Sequence, residues 1–213
     1  MSSKDDLRAF RILHLAISEV KYPVEQLDIG CCCTGVAPSM LVRRTNAWPY
    51  SHLTKLDLTI SHDVWLNKSD LKHLPRGTHA DLAGCFTSLL CYAPNIEYFS
   101  LSTDNPDLLH EKSETVFLLL LNVLNQLEQQ GHPVFPALQS FRLFCLFVRL
   151  EMLLIFLDIM GSRLNKLLLD CVVEYNMTVS KVIEEVRNAP GCHNLELCID
   201  HSYDAYMDGL WMT

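Results

Sequence analysis

Residues 135–143 read Phe135-Pro136-Ala137-Leu138-Gln139-Ser140-Phe141-Arg142-Leu143. Leu138, Phe141 and Leu143 spell apolar-x-x-apolar-x-apolar, and the last two alternate with polar residues, the period-two signature of a strand with one buried face. The phrase recurs at Val24/Leu27/Ile29, Leu53/Leu56/Leu58, Ile96/Phe99/Leu101, Leu164/Leu167/Leu169 and Cys192/Leu195/Leu197. Successive starts lie 29, 43, 42, 26 and 28 residues apart. Pro23, Pro94, Pro136 and Gly191 each stand just before a phrase or inside its approach, where a preceding helix must stop.

Between the phrases the apolar spacing changes to three and four. Leu7, Phe10, Leu13, Ile17 and Val20 precede the first strand, and Leu82, Cys85, Phe86, Leu89 and Leu90 the third. Val116, Leu120, Val123, Leu124 and Leu127 precede the fourth; Val179, Val182, Ile183 and Val186 precede the sixth, with Lys181 and Glu185 as an i,i+4 pair. Residues 149–160 are apolar nearly all round, but Glu151 and Asp158, seven apart, share an outward face. Strand and helix in alternation predict an α/β fold of about six parallel strands with helical returns. One such unit cannot bury its own apolar face, so the units must stack. No linker divides the chain, and a single domain over 1–213 is expected. Residues 1–23 would form an N-terminal cap helix, and 200–213 a C-terminal tail or partial cap carrying Tyr203, Tyr206, Leu210 and Trp211. An unfinished last repeat would leave an edge strand open to edge-to-edge self-association. The wider spacings leave room for loops at 60–80 and 103–112.

Composition narrows the function. Of 213 residues, 17 are Lys or Arg and 25 Asp or Glu, a formal net charge of −8. That balance argues against a nucleic-acid face, because phosphate contact needs concentrated cations. The most apolar stretch, 143–160, is interrupted by Arg149, Glu151 and Asp158, so no membrane span is expected. Asp5 and Asp6 stand where a secretory signal would be apolar. Nine cysteines is an odd number, and Cys85, Cys145 and Cys171 lie among apolar neighbours, as free thiols do. A reduced, intracellular protein, cytoplasmic or nuclear, is the expectation.

No sequence signature of catalysis stands out. The run Cys31-Cys32-Cys33 is a poor zinc site, since adjacent side chains on a strand point apart and no spaced Cys or His partner accompanies it. There is no G-x-S-x-G, glycine-rich phosphate loop or H-E-x-x-H. The chain is therefore expected to be no enzyme and to carry no cofactor. The alternative is an enzyme or metal-binding protein with its site on the 60–80 insertion, which gathers His62, His73 and His79.

The phrases at 93–101, 135–143 and 192–197 resemble the L-x-x-L-x-L strand motif of the leucine-rich-repeat family, in the irregular spelling found in F-box-type proteins of filamentous fungi. The resemblance spans roughly residues 20–200. It implies a short leucine-rich-repeat-like horseshoe acting as a non-catalytic protein–protein interaction scaffold. That scaffold would be the substrate-recognition part of an F-box-type ubiquitin-ligase receptor, here lacking its F-box, since residues 1–23 contain no L-P-x-E-type motif. The family's usual Asn or Cys, three residues after the last apolar position, is here Cys32, Ser61, Asp104, Leu146, Val172 and Asp200, which implies irregular turns. The resemblance also implies three columns of side chains on a concave face. The first is Gln26, Lys55, Tyr98, Ser140, Lys166, Asn194; the second Asp28, Asp57, Ser100, Arg142, Leu168, Glu196. The third is Gly30, Thr59, Ser102, Phe144, Asp170, Cys198. From these, Tyr98, Arg142, Phe144, Lys166, Leu168, Lys55 and Asp57 are the candidate partner-binding residues, and the partner is another protein.

Overall fold

The computed structural model describes residues 23–32, 51–60, 87, 93–103, 111–173 and 178–200. The expected cap helix, the 60–80 insertion, the helix at 82–90 (Thr87 apart) and the C-terminal tail lie outside the described residues beyond their first or last positions. Each apolar phrase becomes a strand: β1 (Gln26–Cys32), β2 (Lys55–Ile60), β3 (Tyr98–Thr103), β4 (Ser140–Val148), β5 (Lys166–Val173) and β6 (Glu196–Ile199). The described helices are α1 (Glu111–Gln129), α2 (Leu150–Met160) and α3 (Val179–Asn188), each joining one strand to the next. The strands form one open parallel sheet in sequential order, β1-β2-β3-β4-β5-β6. No described helix is long and apolar enough to cross a membrane.

Period two decides which side of the sheet is buried. Leu56, Leu58, Ile60, Phe99, Leu101, Phe141, Leu143, Leu167 and Leu169 all lie on one face at 0–1% exposure. They join the apolar sides of all three helices in one core. Phe141 is its hub: the Phe156 ring of α2 lies 4.5 Å away and the Phe99 ring 5.5 Å away, while Phe117 of α1 reaches Phe156 at 5.8 Å. Glu151 and Asp158 point outward from α2 as their spacing requires, with Ile155 exposed between them.

Local chemistry sets the helix ends. Thr178 accepts a hydrogen bond from the Lys181 N–H at the start of α3, satisfying a donor that the first turn cannot. Gly131 (φ 73°) stops α1, with the His132 N–H donating to the Leu127 carbonyl.

A repeated hydrogen-bond motif joins the strand entries. The carbonyl just before one strand accepts two N–H groups from the approach to the next. Glu25 O receives Thr54 and Lys55, Thr54 O receives Glu97 and Tyr98, Glu97 O receives Gln139 and Ser140, and Gln139 O receives Asn165 and Lys166, all at 2.8–3.1 Å. At the sixth strand only Glu196 donates to Asn165 O, at 2.9 Å. The Leu195 N–H is already used in its own turn, on the Cys192 carbonyl at 3.0 Å.

That difference corrects the sixth phrase. Leu195 was expected to pair with Leu167, but Leu167 pairs with Leu197 and Leu169 with Ile199. The turns closing at Ile96 and Leu138 leave one residue before the strand, whereas the turn closing at Leu195 leaves none. Cys192 is thus the buried turn residue equivalent to Ala93 and Phe135. A slip of two preserves the inward and outward faces, but it puts Glu196, not Asn194, beside Lys166, and Cys198, not Glu196, beside Leu168.

A second departure lies at the strand ends. Irregular turns were expected around Leu146 and Val172, yet both residues are strand. β4 bulges between Phe144 and Phe147, where Cys145 takes φ 53°, and pairing then resumes as Phe147 with Val172 and Val148 with Val173. The bulge turns Leu146 into the core at 0% exposure and the Thr103 hydroxyl donates to the Cys145 carbonyl. A strand extension therefore replaces a turn.

Close approach between the fifth and sixth units depends on two glycines. A Cβ on Gly161 would lie 2.5 Å from the Leu157 carbonyl oxygen and 2.7 Å from Cys192 Sγ; one on Gly191, at φ 78°, would lie 2.9 Å from the Ser162 nitrogen. Alanine at either position is expected to destabilise the protein by about 1–3 kcal/mol. Urea denaturation checks this; an unchanged midpoint would show that these backbones do not meet so closely.

Candidate functional site

The sheet face opposite the core carries every candidate binding residue. Register sets them in rows across the strands. Lys55, Tyr98, Ser140, Lys166 and Glu196 form one row; Asp57, Ser100, Arg142, Leu168 and Cys198 the next; Thr59, Ser102, Phe144 and Asp170 the third. Lys55, Asp57, Tyr98, Arg142, Lys166 and Leu168 are half-buried, and Phe144 is 40% exposed. Ser100 and Ser102 are small enough to be buried between larger neighbours, and Ser102 shares a 2.8 Å hydrogen bond with Thr59. Along β3 the face is consequently low, with Tyr98 on the same strand and the larger Arg142 and Phe144 beside the two serines on β4.

Charges on this face are arranged in pairs. Arg142 Nε donates to Asp170 Oδ2 at 2.7 Å, and its Nη2 also contacts that oxygen. Lys166 Nζ donates to Glu196 Oε1 at 2.6 Å. Lys55 Nζ lies 3.3 Å from Asp57 and 5.2 Å from the Tyr98 ring centroid. The Arg142 guanidinium lies 4.9 Å from the Phe144 ring centroid, a cation–π geometry. These contacts shift titration. Partial burial would lower the pKa of Arg142, but the hydrogen bond and charge of Asp170, assisted by Tyr98, raise it overall. The hydrogen bond between Lys166 and Glu196 raises the first and lowers the second. Both members of that pair are open to solvent, so it adds little stability.

Arg142 proves to be more than a contact residue. Outward strand positions ordinarily lose little stability on truncation. The Asp170 carboxylate, however, is only 14% exposed and depends on Arg142 for its ion pair. Removing Arg142 alone would strand that carboxylate. Tyr98 and Phe144 are the cleaner probes of the surface. Asp170 and Glu196 stood in the expected columns but not among the candidate binding residues. Their opposite charge to Arg142 and Lys166 was readable, but their adjacency required the register.

A second ionic cluster belongs to the fold. Arg149, ahead of α2, reaches the buried Glu114 of α1 at 2.7 Å and Glu151 at 3.6 Å, fastening neighbouring helices. Among the described residues no group of three His, Cys, Asp or Glu side chains could hold a metal ion. The alternative site on the 60–80 insertion, with His62, His73 and His79, lies outside the described residues, as do Cys33 and the side chains of Cys31 and Cys32. The arrangement on the outward face can therefore offer shape, apolar contact and fixed hydrogen-bonding groups. Comparison with known proteins found no matching family model, no matching curated protein and no matching solved structure.

Proposed function

We propose that this chain is a non-catalytic recognition module of leucine-rich-repeat-like, horseshoe architecture that binds another protein on the outward face of its sheet. The carrying observation is the sequential parallel sheet with one side packed by helices and the other studded with Tyr98, Arg142, Phe144 and Leu168. The carbonyl motif repeated from Glu25 to Gln139 supports stacked, equivalent units, the geometry that gives repeat proteins an extended docking surface. Ion pairs between neighbouring strands hold that surface in place before any partner arrives, which reduces the ordering cost of association. Tyr and Arg are the residue types that most often anchor such contacts. In this reading the module works inside the cell as the substrate-recognition part of an F-box-type ubiquitin-ligase receptor.

Affinity capture from an extract of the source organism tests the reading. Intact chain is compared with a Tyr98→Ala/Phe144→Ser variant of matched melting temperature. The expected result is a reproducible set of proteins that the variant loses. Recovery of a ligase adaptor would support the receptor role, and identical capture by both chains would refute the sheet face as the docking surface.

A further inference from the structure

Among the described strands the sheet ends at β6, which pairs only with β5. The Glu196 N–H donates to the Asn165 carbonyl and the Asp200 N–H to the Leu169 carbonyl, so the even-numbered residues turn their backbone groups toward β5. A parallel ladder alternates. Leu197 and Ile199 therefore turn both N–H and C=O to the free side, where no described strand meets them. The Leu195 carbonyl opens the same way: it stands where each earlier carbonyl accepts N–H groups from the next unit, and no described residue supplies them here. The core stops equally short. Leu195, Leu197 and Ile199 face inward yet are only half-buried, whereas Leu167 and Leu169 beside them are 0% exposed.

Charge distinguishes this edge from the one at β1. Asp28 of β1 is exposed, forms no ion pair among the described residues and is registered with Asp57. Extension of the sheet from β1, onto itself or head to tail onto β6, would bring that unmatched carboxylate near a second Asp28 or near Glu196. On β6 the single charged residue is Glu196, and Lys166 already holds it at 2.6 Å. The strand also has no proline or bulge of the kind that guards an exposed edge. Two copies of β6 are complementary to each other. Antiparallel pairing about Leu197 forms four hydrogen bonds, two between the Leu197 backbones and one from each Ile199 N–H to the other copy's Leu195 carbonyl. It sets Glu196 opposite Cys198, whereas pairing about Cys198 would set Glu196 opposite Asp200, a like-charge contact.

We infer that the β6 edge receives β6 of a second copy of this chain, antiparallel about Leu197, in a weak two-fold dimer. Leu195, Leu197 and Ile199 of the two copies meet on the inward side, and the two-fold axis closes the assembly at two chains. Each copy contributes one four-residue strand, which places the contact with small, transient interfaces.

Sedimentation equilibrium of the full chain tests this between about 5 and about 500 μM, the range suited to so small a contact. The mean mass should rise from one chain toward two and no further. Ile199→Pro removes an N–H that faces the free side, so the ladder to β5 keeps its bonds. It should weaken association by about tenfold or more through the two lost hydrogen bonds, with little change in the melting temperature. Should that variant melt early, crosslinking decides. Directly opposite residues of a non-hydrogen-bonded antiparallel pair lie about 4.5 Å apart at Cα, within disulfide reach. Glu196→Cys should therefore give a disulfide-linked dimer on mild oxidation, and Glu196→Cys/Cys198→Ser should not. Crosslinking of the unaltered chain through Cys198 would move the centre to that residue and overturn the inferred pairing. A single-chain mass throughout, growth beyond two chains, or a dimer indifferent to Ile199→Pro and not crosslinked through Glu196→Cys would overturn the β6 dimer altogether.

Discussion

Replacing Phe141 with alanine is expected to cost about 3–5 kcal/mol, the largest loss foreseen for truncation of a single side chain here. Phe141 has no solvent exposure and joins β3, β4 and α2 through the rings of Phe99 and Phe156. Its removal leaves a cavity that two aromatic rings held in place by other neighbours cannot close. Domains of this size are stable by only about 5–15 kcal/mol, so the variant should unfold at a much lower urea concentration. An essentially unchanged slope with a lowered midpoint is expected. A loss under about 1 kcal/mol would mean that Phe141 is not at the junction of sheet and helices.

The second large effect distinguishes two adjacent leucines. Leu167 is fully buried, whereas Leu168, the next residue, is half-exposed on the other face. Leu167→Gln places an amide in the core without a partner and removes apolar burial, and should cost about 3–5 kcal/mol. Leu168→Gln should cost about 1 kcal/mol or less. Thermal or urea unfolding of both variants measures the contrast directly. Equal losses would contradict the assignment of inward and outward faces.

That contrast was legible in the sequence because a strand repeats every two residues. Leu167 falls at an apolar position of the phrase and Leu168 between two of them. Helices were legible for the corresponding reason, through spacings of three and four at Val116–Leu127 and Val179–Val186. The sixth strand was harder. Leu195, Leu197 and Ile199 continue one alternation, so periodicity fixes their face but not their register, which was settled by a turn hydrogen bond at Leu195. The extension of β4 was hidden for a different reason. From Leu143 to Val148 the chain is apolar throughout, and nothing in such a run marks a bulge at Cys145. In the candidate site, individual residues were readable, but their pairing was not. Arg142 with Asp170 joins positions two places apart along the phrase on neighbouring strands, a contact that depends on strand order as well as facing.

The most direct test of the docking surface is site-specific photo-crosslinking in an extract of the source organism, with the crosslinker at position 144 on the open sheet face or at position 155 on the helix layer. Discrete protein adducts at position 144, suppressed by excess unlabelled chain and missing at position 155, are the predicted result. Adducts confined to position 155 would place recognition on the opposite side of the molecule and contradict the proposed role of the sheet.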